Sequence, residues 1–333
     1  MVSIKDIAKI CGVSTATVSK ALNDHADIGK ATKERVCKAA EELGYIANPS
    51  ARAIKTNRTK NIGILFDDAM GSGLSHEYFS LILESFRAEA ETRGYDITFI
   101  SQTAIHGKAN YLRHCQSRAF DGVIIISADY ENSDVRQLAQ SEIPVVTLDY
   151  MYEGCSSVMS DNYNGMQRLM NYIVSGGHRS IAYIHGEETA VTRDRVSAFH
   201  RVCRENGIRI PEAYFRSGRY HDIAGCAALT EELLSLDNRP TCLLCPDDYS
   251  LLGAMETIKR AGLSIPKDIS VAGYDGIHMA RVMKITSYAQ DTLKIGKKSA
   301  EKLINRIENK EADIEHIEIM GTLLEGETVG FIS

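Results

Sequence analysis

The sequence predicts a small all-α headpiece built on a helix-turn-helix, followed by an α/β body of two doubly wound lobes. Three short amphipathic helical patterns occupy residues 1–47, and apolar strand patterns alternate with amphipathic helices over the remainder. At 333 residues the chain is too long for one ordinary domain. Its composition of 44% hydrophobic and 25% charged residues is ordinary for a soluble globular protein. No run approaches the roughly 18 apolar residues of a membrane span.

Charge is distributed unevenly along the chain. The first 60 residues contain 11 lysines and arginines against 6 acidic residues, whereas the whole chain has a formal net charge of −6. A basic segment is the electrostatic signature of a protein that binds a polyanion. A basic surface helix without a partner is the alternative, and charge alone leaves the two interpretations open.

The N-terminal segment carries the start and stop signals of three short helices. Ser3 and Asp6 have the spacing of a capping box, and Gly12 then allows a tight turn. Ser14 is a good N-cap for a second helix, and Thr32 is expected to cap a third. Two helices joined by a short turn, with a third packed against them, are typical of a DNA-binding helix-turn-helix.

The exposed face of the predicted second helix carries Thr15, Ala16, Ser19 and Lys20. Small residues at the start of a helix let it lie deep in a major groove. There Thr15 and Ala16 can meet base edges or thymine methyl groups, and Lys20 can reach guanine O6 and N7. Ser14 and the start of the first helix are suited to phosphate contacts. A three-helix scaffold without DNA is the alternative, and the basic charge argues against it.

The segments SIKDIAKICGVSTATVSKALN and ERVCKAAEELGYIANPSARAIK carry a specific motif. They resemble the headpiece of the LacI/GalR family of bacterial repressors. The resemblance implies base reading by Thr15, Ala16 and Lys20, although arginine is usual at position 20 and lysine lacks its bidentate fork. The headpiece residues that we assign to DNA contact are Ser3, Ser14, Thr15, Ala16, Thr17, Ser19, Lys20, Asn23 and Tyr45.

Residues 48–60 are predicted to form a hinge between the headpiece, residues 1–47, and the body, residues 61–333. Asn48 and Pro49 can start a short helix, which is too short to be stable alone in water. The resemblance implies that two such helices pair and enter the minor groove, with Ile54 in place of the family's leucine wedge. A plain linker is the alternative. The hinge residues assigned to DNA contact are Asn48, Ser50, Arg52, Ala53, Ile54 and Lys55.

The body contains two blocks of alternating strands and helices. The strand candidates are NIGILF, YDITFI, DGVIIIS and PVVTLD in the first block, and SIAYIHG, TCLLC and SVAGYD in the second. Continuous apolar strands with intervening helices predict parallel sheets covered on both faces. We expect lobe 1 to contain about residues 61–160 and 289–320, and lobe 2 about residues 161–288 and 321–333. The family resemblance extends through this region and implies a body similar to periplasmic sugar-binding proteins, with ligand between the lobes.

Polar residues at strand ends are candidates for a ligand site. Asp149 ends PVVTLD, Asp247 follows TCLLCP, Asp275 ends SVAGYD and Arg195 opens RVSAF. Carboxylates and an arginine suit a polyol, because carboxylates accept from hydroxyl groups and the guanidinium donates a fork. The family has asparagine, rather than aspartate, at position 247. The resemblance implies effector contact by Tyr78, Phe79, Asp149, Arg195, Tyr220, Asp247, Asp275 and Gln290.

Several of these residues also have a structural interpretation. Asp275 can be a helix cap, Arg195 can form an ion pair within its lobe, and Tyr220 can pack inside lobe 2 instead of stacking on a sugar. Cys242 and Cys245 form a C-x-x-C. Because positions i and i+3 of a strand point to opposite faces, and no second Cys/His pair completes a zinc set, we interpret them as core thiols. We expect no metal and no cofactor.

The sequence therefore predicts a DNA-binding transcriptional regulator that acts as a homodimer on a near-palindromic double-stranded operator. Repression is favoured as its mode of action. A sugar or sugar derivative is the expected effector, and a nucleobase, a nucleoside or a phosphoprotein corepressor is the alternative. An enzyme is disfavoured because the chain lacks a nucleophile elbow, a phosphate loop and an H-E-x-x-H motif. The N-terminus lacks the apolar core of a signal peptide. We therefore expect a cytoplasmic location without a membrane partner, which argues against a secreted sugar-binding protein with no DNA role.

Overall fold

The structure is a computed structural model that describes residues 2–45, 58–67, 73–100 and 110–332. The chain divides into two compact units, residues 1–59 and residues 60–333. The predicted hinge contacts lie outside the described residues; they are those of Asn48, Ser50, Arg52, Ala53, Ile54 and Lys55.

The described part of the first unit consists of three helices. They are α1 Ile4–Cys11, α2 Thr15–Leu22 and α3 Lys30–Glu42. Each helix turns one apolar face inward, and Ile7, Val18 and Val36 are fully buried at the centre of this core. Gly12 ends α1 with φ +62°, in the left-handed region that favours glycine, and this conformation allows the tight turn into α2. The predicted helix-turn-helix is confirmed.

The predicted starts of α1 and α2 are confirmed, whereas the predicted start of α3 is wrong. Ser3 and Asp6 form a capping box at α1. Ser14 caps α2, where its hydroxyl accepts a hydrogen bond from a backbone N–H at 3.0 Å. α3 begins two residues before Thr32, and its N-cap is Gly29, whose carbonyl accepts from the Thr32 N–H at 2.9 Å. Glycine has no side-chain oxygen that could mark it as an N-cap in the sequence, whereas Thr32 has a hydroxyl group that is typical of N-caps.

Lobe 1 of the second unit contains, within the described residues, a six-stranded parallel sheet. Its strands are β1 Asn61–Phe66, β2 Asp96–Phe99, β3 Gly122–Ser127, β4 Val145–Leu148, β5 Ser156–Ser160 and β11 His316–Ile319. They lie in the order β11-β5-β4-β3-β1-β2. The helices are α4 Glu77–Thr92, α5 Tyr111–Ser117, α6 Ser133–Ala139 and α12 Thr292–Glu308. These helices pack against the two faces of the sheet through two apolar clusters of strand and helix residues.

Lobe 2 also contains a six-stranded sheet within the described residues, in the order β12-β10-β9-β8-β6-β7. Its strands are β6 Ile181–His185, β7 Phe215–Ser217, β8 Cys242–Leu244, β9 Ser270–Asp275, β10 Ser287–Ala289 and β12 Thr322–Leu324. Among the strands that the structure describes in this sheet, only β12 is antiparallel to its neighbour. The helices are α7 Asn162–Ser175, α8 Ala190–Glu205, α9 Ile223–Leu234, α10 Asp248–Arg260 and α11 His278–Val282. Cys242 and Cys245 belong to the clusters on opposite faces of this sheet.

The described chain passes from one lobe to the other after β5, after β10 and after β11. The late helix α12 therefore packs in lobe 1, where Ile295, Leu303 and Ile304 join the core. The predicted fold class, a helical headpiece and a body of two doubly wound lobes, is confirmed. No helix among the described residues has the length and apolarity that a bilayer crossing requires.

Candidate functional site

The exposed surface of α2 is the candidate DNA-reading face of the headpiece. Thr15 and Ala16 are exposed at its N-terminal end, and Ser19 and Lys20 are partly exposed one turn further on. Lys20 forms a short ion pair with Asp27 in the loop between α2 and α3. The face thus combines small side chains, which permit close approach to a base pair, with a cation at its far end.

The other headpiece residues that we predicted to contact DNA lie mostly at helix ends. Ser3 and Ser14 are the N-caps of α1 and α2, where free backbone N–H groups favour anions. Asn23 follows α2, and its side-chain amide donates to Ser19 O at 2.7 Å. Tyr45 is partly buried and packs against the headpiece core. The hydroxyl groups of the two serines are thus positioned by capping.

Arg195 of α8 is the centre of the candidate effector site. Its side chain is 4% exposed. Nε donates to Asn162 Oδ1 at 2.8 Å, and Nη1 donates to Pro246 O at 3.1 Å. The guanidinium carbon lies 3.6 Å from the centroid of the Tyr274 ring. These contacts fix the orientation of the guanidinium, and Nη2 remains 3.9 Å from Asp275 Oδ1, beyond hydrogen-bond distance.

Asp275 and Gln290 form the neighbouring part of the site. Asp275 ends β9 with a backbone φ of +102°, which residues other than glycine rarely adopt. Its Oδ1 accepts a hydrogen bond from Gln290 Nε2 at 2.5 Å. Gln290 is buried, and its Oε1 has no hydrogen-bond partner among the described residues. The helix-cap interpretation of Asp275 is wrong, because Ile277 precedes α11 and no side chain caps that helix. A strained backbone beside a buried, unpartnered amide oxygen is typical of a ligand site.

Asp149 and Tyr78 supply the lobe 1 side of the site. Asp149 follows β4 with φ +52°. Its Oδ1 accepts from Ser160 N at 3.0 Å, and its Oδ2 accepts from the Tyr78 hydroxyl at 3.2 Å. Burial raises the pKa of Asp149, whereas the Ser160 N–H and the charge of Arg195 lower it. Because the effect of a charge falls off with distance, this means that Asp149 in lobe 1 lies close enough to Arg195 in lobe 2 to feel its charge.

Burial dominates the electrostatics of two lobe 2 carboxyl groups, those of Asp275 and Asp248. It raises the pKa of Asp275 well above the usual value, and the nearby charge of Arg195 opposes this only in part. Burial also raises the pKa of Asp248, the first residue of α10, to about 7. A ligand group that donates a hydrogen bond to such a carboxylate stabilises its charged form.

Tyr220 has contacts that fit both of its predicted roles. Its hydroxyl lies 2.8 Å from Thr192 Oγ1, and its ring packs so closely on Gly186 that an added Cβ would lie 2.2 Å from it. The Arg195 guanidinium carbon lies 5.6 Å from the ring centroid. The ring is therefore held rigidly in lobe 2 beside the arginine.

Asp247 has a structural role. It is the N-cap of α10 and is 1% exposed. Its Oδ1 accepts from Ser250 N at 2.7 Å, and its Oδ2 accepts from His221 N and from Ser250 Oγ, both at 2.8 Å. These three donors occupy both carboxylate oxygens. Asp247 thus joins the segment after β7 to α10.

Aromatic rings from the two lobes meet beside these residues. The ring of His76 in lobe 1 lies 3.5 Å, between centroids, from that of His221 in lobe 2 and 5.8 Å from that of Tyr249. Phe79, a predicted effector contact, lies 6.2 Å from His221. The sequence did not mark His76, His221 and Tyr249 as members of this cluster, although His221 adjoins the predicted Tyr220 and His76 precedes the predicted pair at positions 78 and 79.

Comparison with known proteins gives the family. A model of bacterial regulatory proteins of the lacI family matches residues 3–48, and a model of a periplasmic binding protein-like domain matches residues 170–329. The HTH-type transcriptional repressor PurR of Vibrio vulnificus (strain CMCP6) is 30% identical over 338 residues, which cover 99% of each protein. This chain belongs to the LacI family. As a LacI-family protein it is a DNA-binding transcriptional repressor.

Two solved structures of regulators share the fold of this chain over nearly its whole length. The lac repressor dimer bound to operator and the anti-inducer ONPF matches with a TM-score of 0.82 and 23% identity, covering 99% of each chain. The complex of the transcriptional regulator CelR with cellobiose matches with a TM-score of 0.72 and 21% identity, covering 98% of this chain and 100% of CelR. At these identities the likeness is one of fold. It agrees with the headpiece and the two-lobe body of this LacI-family chain.

Proposed function

We propose that this repressor acts as a homodimer whose affinity for a near-palindromic operator is set by a small planar effector of the nucleobase or nucleoside class, bound between lobe 1 and lobe 2. The observation that carries the proposal is the buried gap of 3.9 Å between Arg195 Nη2 and Asp275 Oδ1. A donor and an acceptor face each other there without a hydrogen bond. A ligand with adjacent acceptor and donor groups on one edge satisfies both.

The polar groups of the site suit the edge of a nucleobase. A ring carbonyl or unprotonated ring nitrogen accepts from Arg195, a ring N–H donates to Asp275, and an exocyclic amino group donates to Gln290 Oε1, which is unpartnered among the described residues. Nucleobases carry such groups side by side in one plane. The guanidinium of Arg195 is already held in one orientation by Asn162 and Pro246, so little side-chain entropy is lost on binding.

The surrounding rings suit a flat ligand. The rings of Phe79 and Tyr78 in lobe 1, and of Tyr220 and His221 in lobe 2, form a contiguous aromatic cluster beside the polar groups. Aromatic stacking on a base is favourable because every base has an extended π-face. A pyranose offers only its C–H faces and needs hydrogen bonds all round its rim.

The comparisons support a nucleobase or nucleoside better than the sugar that we expected from the sequence. A relative that matches over 99% of this chain at 30% identity is a PurR repressor. The cellobiose complex matches at 21% identity, so its ligand carries no weight for this chain. A phosphoprotein corepressor has no observation in its favour among the described residues.

On the DNA side, the proposal assigns base reading to the exposed face of α2. A two-fold symmetric dimer presents two such helices to two half-sites, so the proposal implies a near-palindromic operator. Effector and operator are then coupled reciprocally, typically by about 1–3 kcal/mol.

The test is a thermal-unfolding screen of the full chain with purine and pyrimidine bases, their nucleosides, and aldohexoses at equal concentration. A ligand of the folded state raises the unfolding temperature by mass action. We expect bases or nucleosides to raise it and hexoses to leave it unchanged. The active compound should then alter binding to an operator selected from random duplex DNA. A shift with hexoses alone would reject the proposed effector class.

Two variants locate the site. Asp275→Asn is expected to abolish the thermal shift but to retain operator binding. Asp237→Asn changes an exposed acidic residue of lobe 2 and is the matched control, expected to behave as the wild type. An undiminished shift in Asp275→Asn would place the effector elsewhere.

A further inference from the structure

Lys20, which we predicted to read a base, has an acidic partner in the headpiece. Its ammonium group donates a short hydrogen bond to Asp27 Oδ2, in the loop between α2 and α3. This hydrogen bond is the largest cause of the lowered pKa of Asp27. The Lys20 and Asp27 side chains are 44% and 54% exposed, so the pair lies at the surface.

An acidic group at this position is unfavourable for simple phosphate binding. Lys20 lies four residues after Ala16, on the same exposed face of α2, and the ion pair brings the Asp27 carboxylate to that face. A lysine whose charge is already neutralised by Asp27 releases few counterions from DNA, so it adds little binding free energy at a phosphate. The Asp27 carboxylate in addition repels phosphates. Phosphate contact therefore does not account for this pair.

The Lys20–Asp27 pair matches the donor and acceptor pattern of one kind of base pair. In the major groove guanine presents the acceptors O6 and N7, and its cytosine presents the N4 amino donor. An ammonium group complements the acceptors, and an adjoining carboxylate complements the amino group. We propose that Asp27 is a specificity-determining residue, and that Lys20 and Asp27 together read one G·C base pair in each half-site. This inference rests on the DNA-reading role of α2 proposed above.

A second ion pair of the same loop provides a control. Asp24 Oδ1 lies 2.6 Å from Lys33 Nζ, which also donates to Asp24 O at 3.2 Å. Lys33 belongs to α3 and its side chain is 21% exposed, so this pair ties the loop to α3. Asp24 has φ +54°, a conformation that asparagine tolerates. Asp24→Asn and Asp27→Asn thus remove the same charge from the same loop.

The experiment is a selection of operator sequences from a randomised duplex library, with the full chain and with Lys20→Ala, Asp27→Asn and Asp24→Asn. The wild type is expected to select a G·C pair at one position of each half-site. Lys20→Ala and Asp27→Asn should each reduce that preference about 10-fold at the same position, and Asp24→Asn should leave it unchanged. In Asp27→Asn the freed Lys20 can contact phosphate, so the salt dependence of log K should steepen by about 0.9 per half-site.

The outcomes separate this inference from the proposed function. If Lys20→Ala relaxes one position and Asp27→Asn does not, Lys20 reads DNA without Asp27 and the inference is overturned. A uniform gain of affinity in Asp27→Asn, with unchanged base preference, overturns it as well, because the carboxylate then acts only by repulsion. If the wild type selects no sequence, the DNA-reading role of α2 fails together with the inference. Circular dichroism of each variant distinguishes a loss of helix from a loss of base preference.

Discussion

Arg195 and Asp275 face each other with 3.9 Å between Nη2 and Oδ1, too far for a hydrogen bond and close enough for electrostatic attraction. Each is held by other groups: Arg195 by Asn162 and the carbonyl of Pro246, and Asp275 by Gln290. A ligand edge that lies alongside both groups can therefore hydrogen-bond to each of them without first breaking a hydrogen bond between them.

Arg195→Lys should weaken effector binding at least about 10-fold, because hydrogen bonds to charged groups contribute about 1.5–3 kcal/mol each. A lysine cannot bond Asn162, the Pro246 carbonyl and a ligand in one plane, as the guanidinium can. Isothermal titration calorimetry with the compound found in the thermal screen measures the change. Arg193→Lys, two residues earlier on α8 and 61% exposed, is the control and should bind normally. Equal losses in both variants would contradict the assigned role of Arg195.

Asp248 should make the stability of the protein depend on pH. Burial raises its folded pKa from 3.8 to about 7, so between these values the folded protein retains a proton that the unfolded chain releases. The contribution to stability is fully present below about pH 4 and is lost as the pH rises through about 7, by at most about 1.4 kcal/mol per pH unit. In Asp248→Asn the side chain does not titrate, so the variant lacks this pH-dependent contribution to stability.

Urea unfolding of the wild type and Asp248→Asn at pH 5 and pH 8 measures this contribution. The free energy of unfolding of the wild type, minus that of the variant, should be more positive at pH 5 than at pH 8. Other buried acidic residues, such as Asp275, are present in both proteins, so their contributions largely cancel in the difference. A difference independent of pH would mean that Asp248 has an ordinary pKa.

Ile7→Ala should unfold or severely loosen the headpiece. Ile7 is fully buried where the three helices meet, and removal of a buried isoleucine side chain costs about 2–5 kcal/mol. So small a core has little stability to lose. Operator binding should fall sharply, and hydrogen exchange of the amides in α1–α3 should accelerate. Ile10→Ala on the same helix, where the side chain is 61% exposed, should change neither measurement noticeably.

Gly165→Ala should weaken effector binding through Tyr274. A Cβ at Gly165 in α7 would lie 2.3 Å from the Tyr274 hydroxyl oxygen and 2.5 Å from Tyr288 Cε1, so these rings must move, at about 1–3 kcal/mol. The ring of Tyr274 supports the Arg195 guanidinium. We therefore expect both a lower unfolding temperature and a lower effector affinity.

The control for this variant is Gly262→Ala. Gly262 has φ +77° and open space around a Cβ, so alanine there costs about 1–2 kcal/mol of backbone strain without disturbing the site. Its unfolding temperature should fall to a similar extent, while its effector affinity stays at the wild-type value. If both variants kept full affinity, the support of Arg195 by Tyr274 would be unimportant for binding.

Local sequence patterns predicted the longer elements of the fold and several site residues. Apolar runs such as NIGILF and SVAGYD became β1 and β9, and the headpiece helices followed their periodicity. Strands β5, β7, β10, β11 and β12 were not predicted. β5 reads SSVMS, with buried serines, and the others have three or four residues each, so neither hydrophobicity nor length marks them.

The surroundings of the site residues could not be predicted in the same way. Asp149, Arg195 and Asp275 lie at strand ends or in motifs that are visible in the sequence. Asn162, Tyr274 and His76 instead make contacts with residues far away in the chain. The Tyr274 hydroxyl contacts Asn162 O, and the His76 ring contacts those of both Tyr78 and Tyr249. For Asp247 the strand-end position suggested a ligand contact, which stays a prediction, and only the structure shows that this residue is also the N-cap of α10.

The sequence by itself determined that this protein has a basic helix-turn-helix and a two-lobe α/β body, because periodicity, caps and charge are local properties of the chain. Only the tertiary structure decided which polar groups share the site, and that Lys20 is paired with Asp27 while Arg195 is not hydrogen-bonded to Asp275. The distances between side chains depend on how the helices and strands pack, and packing is set by the whole set of buried contacts in each unit.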